Sequence, residues 1–281
     1  MLVIALQFYR GDWYKAMKLA RLLADVEQSR RDDVALMLVR TSECPGGSFV
    51  DEAARRCSEV FRVENVVLRP DTPERKARWG SLNRWPIGCN VLWSGAISHF
   101  LESMEPCWTS IFTADGGDGV PLHPNWADLL IEDHRRTLHS DLSVTGRVLK
   151  DGMGRWHVNG NMVIERSFLQ QHPEILIMPD DPISWDVHHA AKILPGCRAS
   201  SVVHCNWKVV GLRPELFPII ARKAAWWHGY KDGHFVDLAR NFILSHTSRA
   251  DSIDSPRMLD FGKATELAKG NPQPDLEAPP A

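Results

Sequence analysis

Two carboxylates three residues apart end the apolar run in Ile111-Phe112-Thr113-Ala114-Asp115-Gly116-Gly117-Asp118-Gly119-Val120-Pro121-Leu122. The run has strand character, and its glycines let the backbone turn sharply and come close to a ligand. Carboxylates held together at the tip of a buried strand repel each other unless a positive charge sits between them. Magnesium or manganese fills that role with oxygen ligands and commonly bridges protein carboxylates to substrate phosphates. An Asp-Gly turn joining two strands accounts for the same residues without a metal.

Other polar groups fall where ligands bind. The first apolar run closes on Gln7-Phe8-Tyr9-Arg10. In an open α/β sheet that end shares a crevice with Asp115, so Tyr9 could stack on a base and Arg10 reach a phosphate. An ordinary strand-to-helix loop reads the same way. Arg84 and Asn90 flank a helix N-terminus at Trp85-Pro86, whose free N–H groups suit anionic ligands. Simple solvation of Arg84 and a local hydrogen bond from Asn90 are the structural counterparts.

In His157-Val158-Asn159-Gly160-Asn161-Met162 a glycine between amides interrupts a strand, which marks either close approach of a ligand or a β-bulge. Trp185-Asp186 opens a helix. Asp186 is there either a favourable N-terminal charge or a general base. Finally, Trp226-Trp227-His228-Gly229-Tyr230-Lys231 offers an imidazole to a metal and an ammonium to a phosphate.

The elements that must position these groups alternate. Residues 2–6 read as a strand buried on both faces, 13–27 as an amphipathic helix capped by Asp12, and 34–39 as the next strand, which predicts a right-handed crossover and a parallel sheet. Helices are expected at 51–60, 86–104, 126–134, 165–172, 185–193, 214–227 and 235–244, and strands at 61–68, 109–114, 142–149, 156–164 and 200–204. The pattern is that of one α/β domain over residues 1–248, with halves at 1–115 and 116–248, followed by a Pro-rich polar tail at 249–281.

A net charge of -2 gives no global field toward nucleic acid or membrane. A local stretch (Arg69, Arg75, Lys76, Arg78, Arg84) reads as a solvated helix face or a phosphate-contacting surface. No apolar run approaches a membrane span. Six scattered cysteines without a C-x-x-C pair argue for reduced thiols in a cytoplasm, against a disulfide framework or zinc site. Eleven tryptophans supply core, or flat faces for sugar rings and bases.

Taken in order, the pieces resemble a GT-A-type glycosyltransferase across roughly residues 1–245: a strand–helix–strand opening, the acidic pair, Asn159-Gly160-Asn161, Trp185-Asp186 and His228-Gly229-Tyr230-Lys231. Trp85-Pro86-Ile87-Gly88-Cys89-Asn90 and His228-Gly229-Tyr230-Lys231-Asp232 are also similar to glycosyltransferase-like proteins encoded by bacteriophages. The acidic pair departs from the family's D-x-D pattern by its D-x-x-D spacing, and the late motif is shorter than usual.

The resemblance implies a single GT-A-like, Rossmann-like domain with a central mixed, mostly parallel sheet flanked by helices. It implies a nucleotide-diphosphate sugar donor held by Gln7, Tyr9, Arg10, Arg84, Asn90, Asp115 and Lys231. Manganese or magnesium would sit on Asp115, Asp118 and His228, Asp186 would act as base, and Asn159, Gly160, Asn161 and Trp185 would face the acceptor. The phage likeness implies a hydroxymethylated pyrimidine in DNA as acceptor, in the host cytoplasm. A nucleotidyltransferase or sugar-phosphate pyrophosphorylase, and a nucleic-acid or carbohydrate binding module on the same scaffold, are the other readings.

Overall fold

The computed structural model describes residues 1–27, 29–44, 47–68, 85–179, 183–205, 224–229 and 234–250. Strand β1 (Leu2–Phe8) is buried along its whole length and divides its side chains between two cores. Leu2, Ile4, Leu6 and Phe8 pack with helices α1 (Trp13–Val26) and α2 (Gly47–Ser58). Val3 and Ala5 pack on the opposite face with helix α3 (Ile87–Ser103). Strand side chains alternate faces, so covering both faces demands an unbroken apolar sequence, which is what residues 2–6 are.

The main sheet has seven strands in the order β3 (Arg62–Leu68), β2 (Val34–Thr41), β1, β4 (Ser110–Asp115), β7 (Trp156–Glu165), β6 (Val144–Lys150) and β8 (Cys197–Ala199). The first four pair in parallel, β7 runs antiparallel to both β4 and β6, and β8 is parallel to β6. This is the expected α/β architecture with a mixed, mostly parallel sheet between helices. Helices α4 (Trp126–Leu138) and α5 (Arg166–Gln171) follow the expected places. Arg166 is 9% exposed and donates to the carbonyl oxygens of Phe100, Leu101 and Met104, tying the C-terminal end of α3 to the start of α5.

A second sheet of three short strands was not expected. It consists of β5 (Gly119–Pro121), β10 (Trp226–His228) and β9 (Val203–Cys205), with β10 antiparallel to β5 and parallel to β9. Residues 226 and 227 are therefore strand and 224 and 225 irregular, where helix was expected; residues 214–223 of that helix lie outside the described residues. Bulky aromatics with partners on both sides favour the pleated arrangement. The helix expected at 185–193 is two short ones, α6 (Trp185–His188) and α7 (Ala190–Ile193), which meet at His189. Helix α8 (His234–Ala250) closes the described chain.

Candidate active site

The acidic tip is set by β1 and α1. Gln7 pairs with Asp115, and the next residue extends the ladder, with Gly116 N–H donating to the Gln7 carbonyl at 2.7 Å. A Cβ on Gly116 would lie 2.7 Å from that oxygen and 2.8 Å from the Ala16 Cβ, so only glycine lets the tip fold back here. Asp115 Oδ1 accepts the Gly117 N–H at 3.0 Å. Its Oδ2 faces His228 Nε2 at 3.9 Å.

The small sheet supplies the remaining donors. His228 pairs with Gly119 across β10 and β5, and Gly229 N–H donates to the Asp118 carbonyl at 3.0 Å. The sheet thereby brings one donor atom each of Asp115, Asp118 and His228 within 4.8 Å of one another. Two carboxylates and an imidazole suit manganese or magnesium, with phosphate oxygens completing the shell. Burial opposes a charge on His228, but the Asp115 carboxylate and the Cys205 sulfur outweigh it and push its pKa up to about 10.

Below the tip, Trp226 is fully buried, edge-on to Phe112 at 5.2 Å. Its Nε1–H donates to Asn161 Oδ1 at 3.2 Å, and the same oxygen accepts the Asp115 N–H at 3.3 Å. Asn161 in turn donates through its N–H and Nδ2 to Asn159 Oδ1 at 3.1 and 3.2 Å. These amides leave the ladder because β7 places residues 159–161 opposite Arg147 alone, a bulge that re-aims them. Of the two features anticipated for Gly160 the structure has the bulge, inside which its N–H donates to Asp186 Oδ2 at 3.1 Å.

Asp186 Oδ1 accepts the Val187 N–H at 3.0 Å, and His157 Nε2 stands 3.8 Å from Oδ2. The neighbouring Trp185 is buried, stacked on Trp93, with its Nε1–H on the Ile175 carbonyl at 2.8 Å. Asn90 fixes this helix start: Oδ1 accepts the Trp185 N–H at 2.7 Å and Nδ2 donates to Ile183 O at 2.9 Å. These bonds order the helix start that carries Asp186.

These groups line one cavity of about 1110 Å³ at the strand ends. Gln7, Tyr9, Asn90, Asp115, Asp118, Asn159, Gly160, Asn161, Trp185, Asp186 and His228 all border it. Arg10 is exposed and borders other space; Arg84 and Lys231 lie outside the described residues, as does the basic stretch 69–84.

Asp12, His157 and Cys205 also border the cavity, and the sequence reading gave none of them a role there. Asp12 does precede α1, but its side chain accepts the Tyr9 N–H at 2.9 Å and leaves the helix uncapped. Burial, then the Asp115 charge, push its carboxyl up to about 7. His157 could have been found two residues before Asn159; Cys205 had no local signal, since only the β9–β10 pairing joins it to His228. The β6–β7 hairpin adds Lys150, Asp151, Met153 and Arg155 to the rim.

No family model and no curated protein matches the sequence. Solved structures are similar in fold. The galactosyltransferase LgtC, in complex with donor and acceptor sugar analogs, is 12% identical over 86% of this chain and 96% of its own, at a TM-score of 0.47. Apo mouse xyloside xylosyltransferase 1 is 10% identical, over 81% of this chain and 96% of its own, at 0.46. Residues 1–349 of S. aureus TarS are 9% identical, over 81% of this chain and 60% of that one, at 0.46.

Proposed function

We propose that this protein is a metal-dependent glycosyltransferase that moves a sugar from a nucleotide-diphosphate donor to an acceptor hydroxyl. The observation that carries the reading is the convergence of Asp115, Asp118 and His228 on the floor of the cavity, with Asp186 on the same wall as the β7 bulge. Asp115, Asp118 and His228 would hold a manganese or magnesium ion, which when bound would supply positive charge against the diphosphate leaving group. Tyr9, partly buried at the end of β1, offers its ring to the base of the donor. Asp186 takes the proton of the acceptor hydroxyl as that oxygen attacks the anomeric carbon, held for this by the Gly160 and Val187 N–H groups. Lys231 and Arg84 belong to the diphosphate side of the same reading.

The mouth of the cavity favours an acceptor with ring faces and negative charge. Trp85 and Met153 are 72% and 79% exposed there, Lys150 lies 4.7 Å over the ring of Trp156, itself 55% exposed, and Arg155 on the same rim is paired with Asp151 at 2.7 Å. Exposed aromatics interleaved with cations suit nucleic acid, which supports DNA bearing a hydroxymethylated pyrimidine. DNA affinity that falls steeply with salt is expected; affinity indifferent to salt sinks the DNA acceptor. Cysteines that are all free fit action in a cytoplasm, and among the described residues no helix is long and apolar enough to cross a membrane.

Asp118→Asn tests the central assignment. It keeps size and hydrogen bonding but removes one ligand charge. Manganese-dependent binding of the nucleotide sugar, followed by calorimetry, should weaken at least about 100-fold, more than typical changes behind a ligand produce. Full binding and transfer by that variant would show the metal assignment to be wrong.

A further inference from the structure

The sulfur of Cys205 lies 3.3 Å from Nδ1 of His228, the nitrogen that faces away from the acidic pair. The two residues are direct partners on neighbouring parallel strands, His228 on β10 and Cys205 on β9. His228 is 3% exposed, so bulk water is a poor substitute partner for Nδ1. Its other nitrogen, Nε2, points to Asp115 Oδ2 at 3.9 Å.

A histidine can give a lone pair to a metal through one nitrogen only when the proton resides on the other. That second N–H needs an acceptor, and the acceptor fixes both tautomer and ring orientation. If the thiol donates to Nδ1 instead, Nε2 carries the proton and cannot ligate. We propose that Cys205 is a positioning residue for the metal site: its sulfur accepts the His228 Nδ1–H and thereby presents Nε2 to the cation. The inference rests on the metal reading of Asp115, Asp118 and His228.

The test measures manganese affinity of the full chain by titration calorimetry and by the electron paramagnetic resonance signal of free manganese. It compares the unaltered protein with Cys205→Ala, Cys205→Ser and Asp118→Asn. Loss of the acceptor in Cys205→Ala should weaken binding roughly 10- to 100-fold, the range for partners behind a ligating histidine. Cys205→Ser restores an acceptor of similar size and should stay within about threefold of the unaltered protein. Unchanged affinity in Cys205→Ala beside a loss in Asp118→Asn overturns this inference alone, as does equal weakening in the serine and alanine variants. Failure of the unaltered protein to bind manganese overturns both it and the metal reading.

Discussion

Asp12 shares the cavity with Asp115 and Asp118, and its environment works against its charge. Burial and the Asp115 charge raise its carboxyl to about 7, although the Tyr9 N–H and Lys15 favour ionisation. An unfolded aspartate titrates near ~3.9. The folded state thus binds the proton more tightly, and the stability from this group is complete below about pH 4 and lost as pH rises through about 7. Three units amount to about 4 kcal/mol. Asp12→Asn keeps an acceptor for the Tyr9 N–H and removes the charge. Metal-free protein carrying it should gain roughly 2–4 kcal/mol at pH 8 and show a flatter profile between pH 4 and 8 in urea unfolding. An unchanged slope would assign the pH dependence elsewhere.

Among elements, one buried carboxylate gathers several of the bonds between α4 and the sheet edge. Asp133 is 2% exposed; Arg198 of β8 meets it at 2.6 Å, and the Ser200 and Ser201 hydroxyls donate to it at 2.6 and 3.0 Å. Burial raises its pKa, but these hydrogen bonds outweigh it and hold the carboxyl below its ordinary value. Its contribution is present above about pH 4 and lost as pH falls below that. Asp133→Asn leaves a part-buried guanidinium without its counter-charge and should cost about 3 kcal/mol at pH 7, while flattening the acid limb of the stability profile. Denaturant midpoints at pH 3 and 7 check both.

Legibility also divides at the level of elements. β1, α1, β2 and β4 announce themselves because each is defined by its own pattern of apolar residues. β5, β8 and β10 do not, because three-residue strands exist only through partners far along the chain: β10 is ordered by Gly119–Pro121 on one side and Val203–Cys205 on the other. The same division runs through the site. Asp115, Asp118, His228 and Asp186 were readable as chemistry-bearing groups at turns. Asp12 was read as a cap, because a sequence does not show which side of a residue faces the cavity.

At the scale of the whole molecule, one sheet joins the two halves of the site. β4 carries the acidic tip and is paired with β1 on one side and β7 on the other. Asn161 bonds the tip to the β7 bulge, and Trp226 seats the small sheet beneath both. A ligand anchored on Asp115 and Asp118 therefore cannot stabilise one half alone. With manganese and a bound nucleotide-diphosphate sugar at about 100 times its dissociation constant, stabilisation should be about 2.7 kcal/mol. For a domain of this size each kcal/mol raises the melting temperature by roughly 2–4 °C, so a single calorimetric transition should move up by about 5–10 °C. Chelating the metal should return it to its starting point, and Asp118→Asn, binding about 100-fold more weakly, should leave no more than about 0.4 kcal/mol, a shift of roughly 1–2 °C. Two transitions, of which the ligand moved only one, would mean that residues 1–115 and 116–248 unfold as separate units.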